Sequence, residues 1–199
     1  KLPVSAEEMG FDLAALSAHK FYGPKGVGAL IIRRGGAGER LTPLIHGASY
    51  ERGLRAGTLN VPGIVGMGAA AEIARLELEE EAQHVSGLRE LFLAELHRAG
   101  LEPVINGSWT HRLPNNLHIA FPGVEAATVL DSLVSVALSA GSACSTDKRE
   151  ASHVLRAMGL PEDRLFSSLR LGFGRSNSEE QVVRAAAEIA RVVLALSAR

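Results

Sequence analysis

The chain has 199 residues, with 21 Lys and Arg set against 22 Asp and Glu, a formal charge of -1 and 46% hydrophobic residues. Balanced charge of this kind leaves no electrostatic footprint for nucleic acid or an anionic membrane surface. No apolar run approaches the length of a bilayer span, no charged-apolar-small leader opens the sequence, and the single cysteine excludes an internal disulfide, so the expected setting is the reducing cytoplasm.

The first residue is Lys1, and Leu2-Pro3-Val4 runs at once into the polar stretch Glu7-Glu8-Met9-Gly10, which reads as a start inside a longer chain. Residues 11–15 and 27–33 are short β-permissive runs closed by the turn signals Gly23-Pro24 and Gly35-Gly36, and they read as two strands of a larger sheet. Pro62 suits the first turn of a helix whose apolar stripe is Ile64, Met67, Ala71, Ala74 and Leu78. A second stripe follows, Val85, Leu88, Phe92 and Leu96, with Gly100 as its stop; one bent helix and two separate ones are both compatible with this spacing. From residue 101 the pattern is a compact alternation: strands at 102–105, 116–121 and 136–138, a helix at 126–133, and a closing helix after the capping pattern Ser176-Asn177-Ser178-Glu179. About a hundred residues can bury a core of their own, whereas a strand pair in the first sixty leaves its faces and edges bare.

Two short stretches carry chemistry. Lys20 closes Ser17-Ala18-His19-Lys20 and opens onto the glycine-rich Gly23-Pro24-Lys25-Gly26-Val27-Gly28. An ε-amine held there can condense with an aldehyde such as that of pyridoxal phosphate (PLP) when its surroundings lower its proton affinity, and Ser17 and His19 stand beside it as phosphate donors. The glycine-rich turn lacks the G-x-x-x-x-G-K-[ST] of a nucleotide loop and joins two strands. Cys144 lies in Leu138-Ser139-Ala140-Gly141-Ser142-Ala143-Cys144-Ser145-Thr146, among small residues that leave a thiol reachable, and residues 141–150 have the composition of a mobile loop. Taken singly, a lysine before a polar turn and a lone cysteine in a chain are both commonplace. The seven histidines are scattered without the close spacing of a zinc site, and no metal is expected. Arg33-Arg34 and Glu79-Glu80-Glu81 read as solvated faces.

Together these two stretches resemble the cysteine desulfurases of the NifS and IscS type, a branch of the class V aminotransferase family. The likeness continues through His46-Gly47-Ala48-Ser49-Tyr50-Glu51-Arg52-Gly53-Leu54-Arg55-Ala56-Gly57-Thr58 and through Ser167-Ser168-Leu169-Arg170-Leu171-Gly172-Phe173-Gly174-Arg175, in the same order along the chain. Ala48-Ser49-Tyr50 departs from the usual Gly-Gly-Gln or Gly-Gly-His. The resemblance implies an α/β fold, the C-terminal part of a PLP-dependent transferase of the aspartate-aminotransferase type. On this reading residues 1–60 end the large cofactor-binding domain, 61–100 are linking helices and 101–199 form the small domain. The family's acid that pairs with the pyridine nitrogen and its ring-stacking histidine fall upstream of Lys1, so a missing N-terminal half is implied.

The resemblance also implies roles. Lys20 carries PLP and serves as a base; Ser17 and His19 bind the cofactor; Thr58 reaches the phosphate in the neighbouring subunit of a homodimer. Arg170, whose rigid two-pronged guanidinium matches a carboxylate, grips the α-carboxylate of L-cysteine. Cys144 takes the substrate sulfur as a persulfide, leaving alanine, and hands it to an acceptor or scaffold protein in iron–sulfur cluster or thio-cofactor assembly. Another PLP enzyme on the same scaffold, such as a selenocysteine lyase or a transaminase, stays open, as does a non-catalytic chain used for dimerisation or scaffold docking.

Overall fold

The computed structural model describes residues 1–34, 41–140 and 152–198. They fall into two compact units, residues 1–79 and 80–199.

In the first unit a single turn of helix, α1 (Ala6–Met9), precedes strand β1 (Leu13–Ser17). A 3₁₀ turn over Ala18–Phe21 follows, and then strand β2 (Gly28–Ile32). The strands pair antiparallel, with Leu13 opposite Ile32 and Ser17 opposite Gly28. Both expected strands are present, and β1 lies two residues later than the apolar run suggested because Ala18 N–H continues the pairing direction by donating to Val27 O at 3.1 Å. Gly28 is dictated by sterics: a Cβ there would sit 2.4 Å from the Leu16 carbonyl oxygen. The hairpin leaves its apolar side chains in solvent, Leu30 at 50% and Ile31 at 41% exposure.

Helix α2 (Val61–Leu76) starts on Asn60, whose side chain accepts from Gly63 N–H at 3.2 Å, with Pro62 in its first turn as expected. It lies against the Pro24 turn, where Gly66 gives the ring room. Helix α3 (Leu78–Arg98) is a separate element, because Glu77 departs from helical geometry and caps α2 through its N–H to Ile73 O. Val85, Leu88, Phe92 and Leu96 form its buried stripe. The helix stops at Gly100, whose φ of +82° lets Leu101 N–H reach back to Leu96 O at 3.0 Å.

The second unit is a three-stranded antiparallel sheet, β3 (Val104–Ile105), β4 (Asn116–Ala120) and β5 (Ser168–Gly172), in that spatial order. Leu117, Ile119, Leu169 and Leu171 point to one face and join α3 and the last helix, α7 (Glu179–Ser197), in one core. Alternation sends His118, Ser168 and Arg170 to the other face. Between β4 and β5 lie α4 (Ala126–Ser132), α5 (His153–Ala157) and α6 (Glu162–Phe166).

The structure departs from the sequence expectation at three places. Residues 136–138 are not a strand; pairing is confined to a single bridge at Ser139, since Glu188 of α7 holds the preceding backbone by accepting from Val134 N–H at 2.7 Å and Ser135 N–H at 3.2 Å. The cap of α7 is Ser178 with Gln181, not Ser176 with Glu179: Gln181 N–H donates to Ser178 Oγ at 3.2 Å and Ser178 N–H to Gln181 Oε1 at 3.1 Å. Glu81 is not solvated, because its carboxylate accepts from the Arg175 guanidinium at 2.7 Å and is only 10% exposed. Among the described residues no helix is long and apolar enough to cross a membrane.

Candidate functional site

In the first unit, Lys20 sits in the 3₁₀ turn that the end of β1 feeds. The turn is tied on both sides, by Ala18 N–H to Val27 O and by Gly23 N–H to Ala18 O at 2.9 Å, and Ala18 beneath it is fully buried. A fixed backbone therefore carries side chains that are free to act. His19 and Lys20 are exposed, Ser17 is half-exposed, and none of the three side chains makes a hydrogen bond with a described residue. Thr58 is exposed and its hydroxyl is equally uncommitted, while Arg55 shapes its backbone by donating to Gly57 O at 2.6 Å and Thr58 O at 3.1 Å. An amine, an imidazole and hydroxyls that no described residue engages are a donor set suited to an aldehyde-bearing phosphate.

In the second unit, Arg170 is half-buried in β5 between two backbone neighbours. On one side it is in register with His118 of β4. On the other, Arg170 N–H donates to Ser139 O at 2.6 Å and Ser139 N–H to Arg170 O at 3.4 Å. Ser139 is five positions before Cys144, and five residues of chain reach no further than ~18 Å. Cys144 and the expected loop of residues 141–150 lie outside the described residues. The Arg170 guanidinium has no hydrogen bond or ion pair with any described residue. A half-buried cation that no described residue pairs has the chemistry to bind an anion. A cleft of about 430 Å³, lined by Phe92, Leu138, Leu171, Phe173 and Gln181 among others, opens on the opposite, helix-bearing face of the sheet and so does not adjoin this guanidinium.

Sequence reasoning missed a polar network on the Arg170 face. Asn106, 4% exposed, donates through Nδ2 to Ser168 Oγ at 2.7 Å and lies 3.0 Å from His118 Nδ1. Its Oδ1 accepts from Arg164 Nη2 at 2.6 Å. His118 is pushed down to about 4, first by burial and then by the charges of Arg170 and Arg112. Burial, aided by the charge of Arg89, also lowers Arg112, which stacks with Arg89 about the Trp109 ring. The available signal was His118 itself, a polar residue alternating with Leu117 and Ile119 in a strand.

The family model for aminotransferase class-V matches residues 1–184. The chain belongs to that family. It is 51% identical over 187 residues to the cysteine desulfurase IscS of Anaeromyxobacter dehalogenans (strain 2CP-C), covering 92% of this chain and 45% of that protein. It is 43% identical over 182 residues to the cysteine desulfurase IscS of Rickettsia prowazekii (strain Madrid E), covering 92% and 44%. Among solved structures it is similar to a NifS-like protein at a TM-score of 0.84 and 38% identity, covering 98% of this chain and 49% of that one. A second, the NifS-like protein from Rickettsia africae ESF-5, gives 0.81 and 27%, covering 96% and 50%. The chain thus spans about half the length of the relatives it matches. The α/β fold expected from the four motifs, that of the NifS-like PLP-dependent transferases, is the fold found.

Proposed function

We propose that the subunit to which this chain contributes its C-terminal half is a PLP-dependent cysteine desulfurase. It converts L-cysteine to L-alanine and leaves the sulfur as a persulfide on Cys144, for delivery to a sulfur acceptor or scaffold protein in the cytoplasm. Residues 1–60 complete the large domain, 61–100 link, and 101–199 are the small domain.

The observation that carries this reading is the pairing of Ser139 with Arg170, which ties the chain entering the Cys144 segment to a guanidinium with no hydrogen bond or ion pair among the described residues. A reagent thiol and a carboxylate anchor on one short tether are what an attack on the sulfur of a small amino acid requires. Arg170 takes the α-carboxylate as a two-pronged donor and fixes which end of L-cysteine faces inward. Lys20, with Ser17 and His19 beside it and Thr58 from a second subunit of a homodimer, would hold PLP, which supplies the electron sink for charge developing at the substrate Cα. Lys20 Nζ moves the proton at that carbon. Cys144 Sγ, as the thiolate, attacks the substrate sulfur; the S–S bond forms as the substrate Cβ–S bond breaks, its electron pair staying with the carbon skeleton, which takes up protons to become alanine. A free thiol titrates near ~8.5, so only a small fraction is ionised at neutral pH without help from its surroundings.

The test is the complete subunit loaded with PLP and assayed for alanine from L-cysteine. Cys144→Ala should keep the cofactor absorbance and lose alanine formation by roughly a thousandfold or more. Alanine produced at the parent rate by that variant would exclude the persulfide route and favour a lyase or transaminase.

A further inference from the structure

The face of the second unit that carries Arg170 holds a set of hydrogen bonds whose directions are all forced. Arg164 Nη2 has no lone pair, so the Asn106 atom it meets at 2.6 Å is the carbonyl Oδ1. Asn106 Nδ2 is then the atom facing both Ser168 Oγ and His118 Nδ1. The Ser168 hydroxyl proton is committed to the Arg164 carbonyl, so Ser168 accepts from Asn106. The second Nδ2 proton goes to His118, and a ring nitrogen that accepts carries no proton. The imidazole is therefore the Nε2–H tautomer.

His118 is also the register partner of Arg170 across an antiparallel pair, and both project from the same sheet face. Directly opposed side chains in such a pair lie close enough to restrict one another. A ring without charge can lie along the arginine stem, whereas an imidazolium would oppose the guanidinium. The groups that bear on the ring are Arg170 from β5, Arg112 from the loop between β3 and β4, and Arg164 through Asn106. All are cationic, and no carboxylate of a described residue is bonded to it.

We propose that His118, locked in its Nε2–H form by Asn106, is a positioning residue that aims the Arg170 guanidinium at the substrate carboxylate. This rests on the reading of Arg170 as the carboxylate anchor. With the imidazole in place, Arg170 has His118 on one flank and the Ser139 backbone on the other, so its long side chain loses little further freedom when it meets an anion.

The experiment is a double-mutant cycle on the complete, PLP-loaded subunit, reading KM for L-cysteine and kcat separately. His118→Leu, which keeps volume and removes the ring nitrogens, should raise KM about tenfold with kcat nearly unchanged, and His118→Gln, whose amide can stand in for Nε2–H, should restore most of it. In an Arg170→Ala background His118→Leu should have no further effect on KM. An additive effect, or a parent KM in His118→Leu while Arg170→Ala raises it, overturns the positioning role and leaves the anchor reading intact. A parent KM in Arg170→Ala overturns both. Independently of any variant, the ring ¹⁵N signals of His118 should report a proton on Nε2 at neutral pH; a proton on Nδ1 overturns the proposal.

Discussion

In the hairpin β1–β2, Leu13, Leu16, Leu30 and Ile31 are between 37% and 50% exposed, and α2 adds Val65 at 65% and Leu76 at 67%. In strands β4 and β5 the corresponding apolar residues are sealed, with Leu117 and Ile119 at 0% and Leu169 at 1%. Apolar strand residues thus end in a finished core in one unit and on bare faces in the other. The difference lies in what each sheet has to pack against: α3 and α7 close one face of the second, while a two-stranded ribbon with one helix beside its turn offers too little cover. The exposed side chains of the first unit are the size and type that a larger sheet buries, in keeping with the proposed upstream half.

The comparison predicts its sharpest test in separation. Residues 78–199 made alone should unfold cooperatively with a stability of roughly 5 kcal/mol, while residues 1–77 alone should show no transition. A cooperative transition in the shorter piece would break the contrast. Within the whole chain, Ile119→Ala should cost about 2–5 kcal/mol in urea unfolding, and Leu30→Ala less than about 1 kcal/mol, because only the first opens a cavity. Equal costs would mean that the hairpin is covered after all.

Acid should act on the closed unit. His118 has its proton affinity depressed to about 4 from an ordinary 6.5. Between those values the unfolded chain binds the proton and the folded one does not, so stability falls as pH drops from about 6.5 towards 4. His118→Gln has nothing to titrate there. Its melting temperature should therefore decline less between pH 7 and pH 4.5 than the parent's, and parallel declines would remove His118 as the cause.

Much of this fold was legible where a single period controls it. Val85, Leu88, Phe92 and Leu96 announce a buried helix face, and Gly100 its end, because both signals are local. The break at Glu77 was not readable, since the apolar stripes on either side suit one helix or two. Residues 136–138 look like a strand because they are apolar, yet strand formation needs a partner, and the Glu188 carboxylate holds the preceding backbone instead. Lys20 and Arg170 could be picked out by motif, and the structure adds what a motif lacks: side chains that no described residue engages, on fixed backbones. Asn106, His118, Arg164 and Ser168 are spread over 63 positions and meet only through tertiary packing, so no local pattern marks them.

The smallest effect separates two serines that read alike. Both Ser176 and Ser178 precede an acid or amide by three residues, and either could head the closing helix. The choice goes to Ser178 because Gly174 N–H donates to Asn177 Oδ1 at 2.9 Å and Asn177 N–H to Gly174 O at 3.0 Å, which keeps residues 174–177 in a turn and starts the helix later. Ser178→Ala should therefore cost about 1 kcal/mol, and Ser176→Ala no more than a few tenths. The helix concerned supplies Val182, Ala186, Ile189 and Val193 to the core, so the loss should appear as a shift of the single transition of the second unit and not as local fraying. An equal loss from both serines would show the two caps exchanging, and the closed unit would then be less sharply defined at this end than its core.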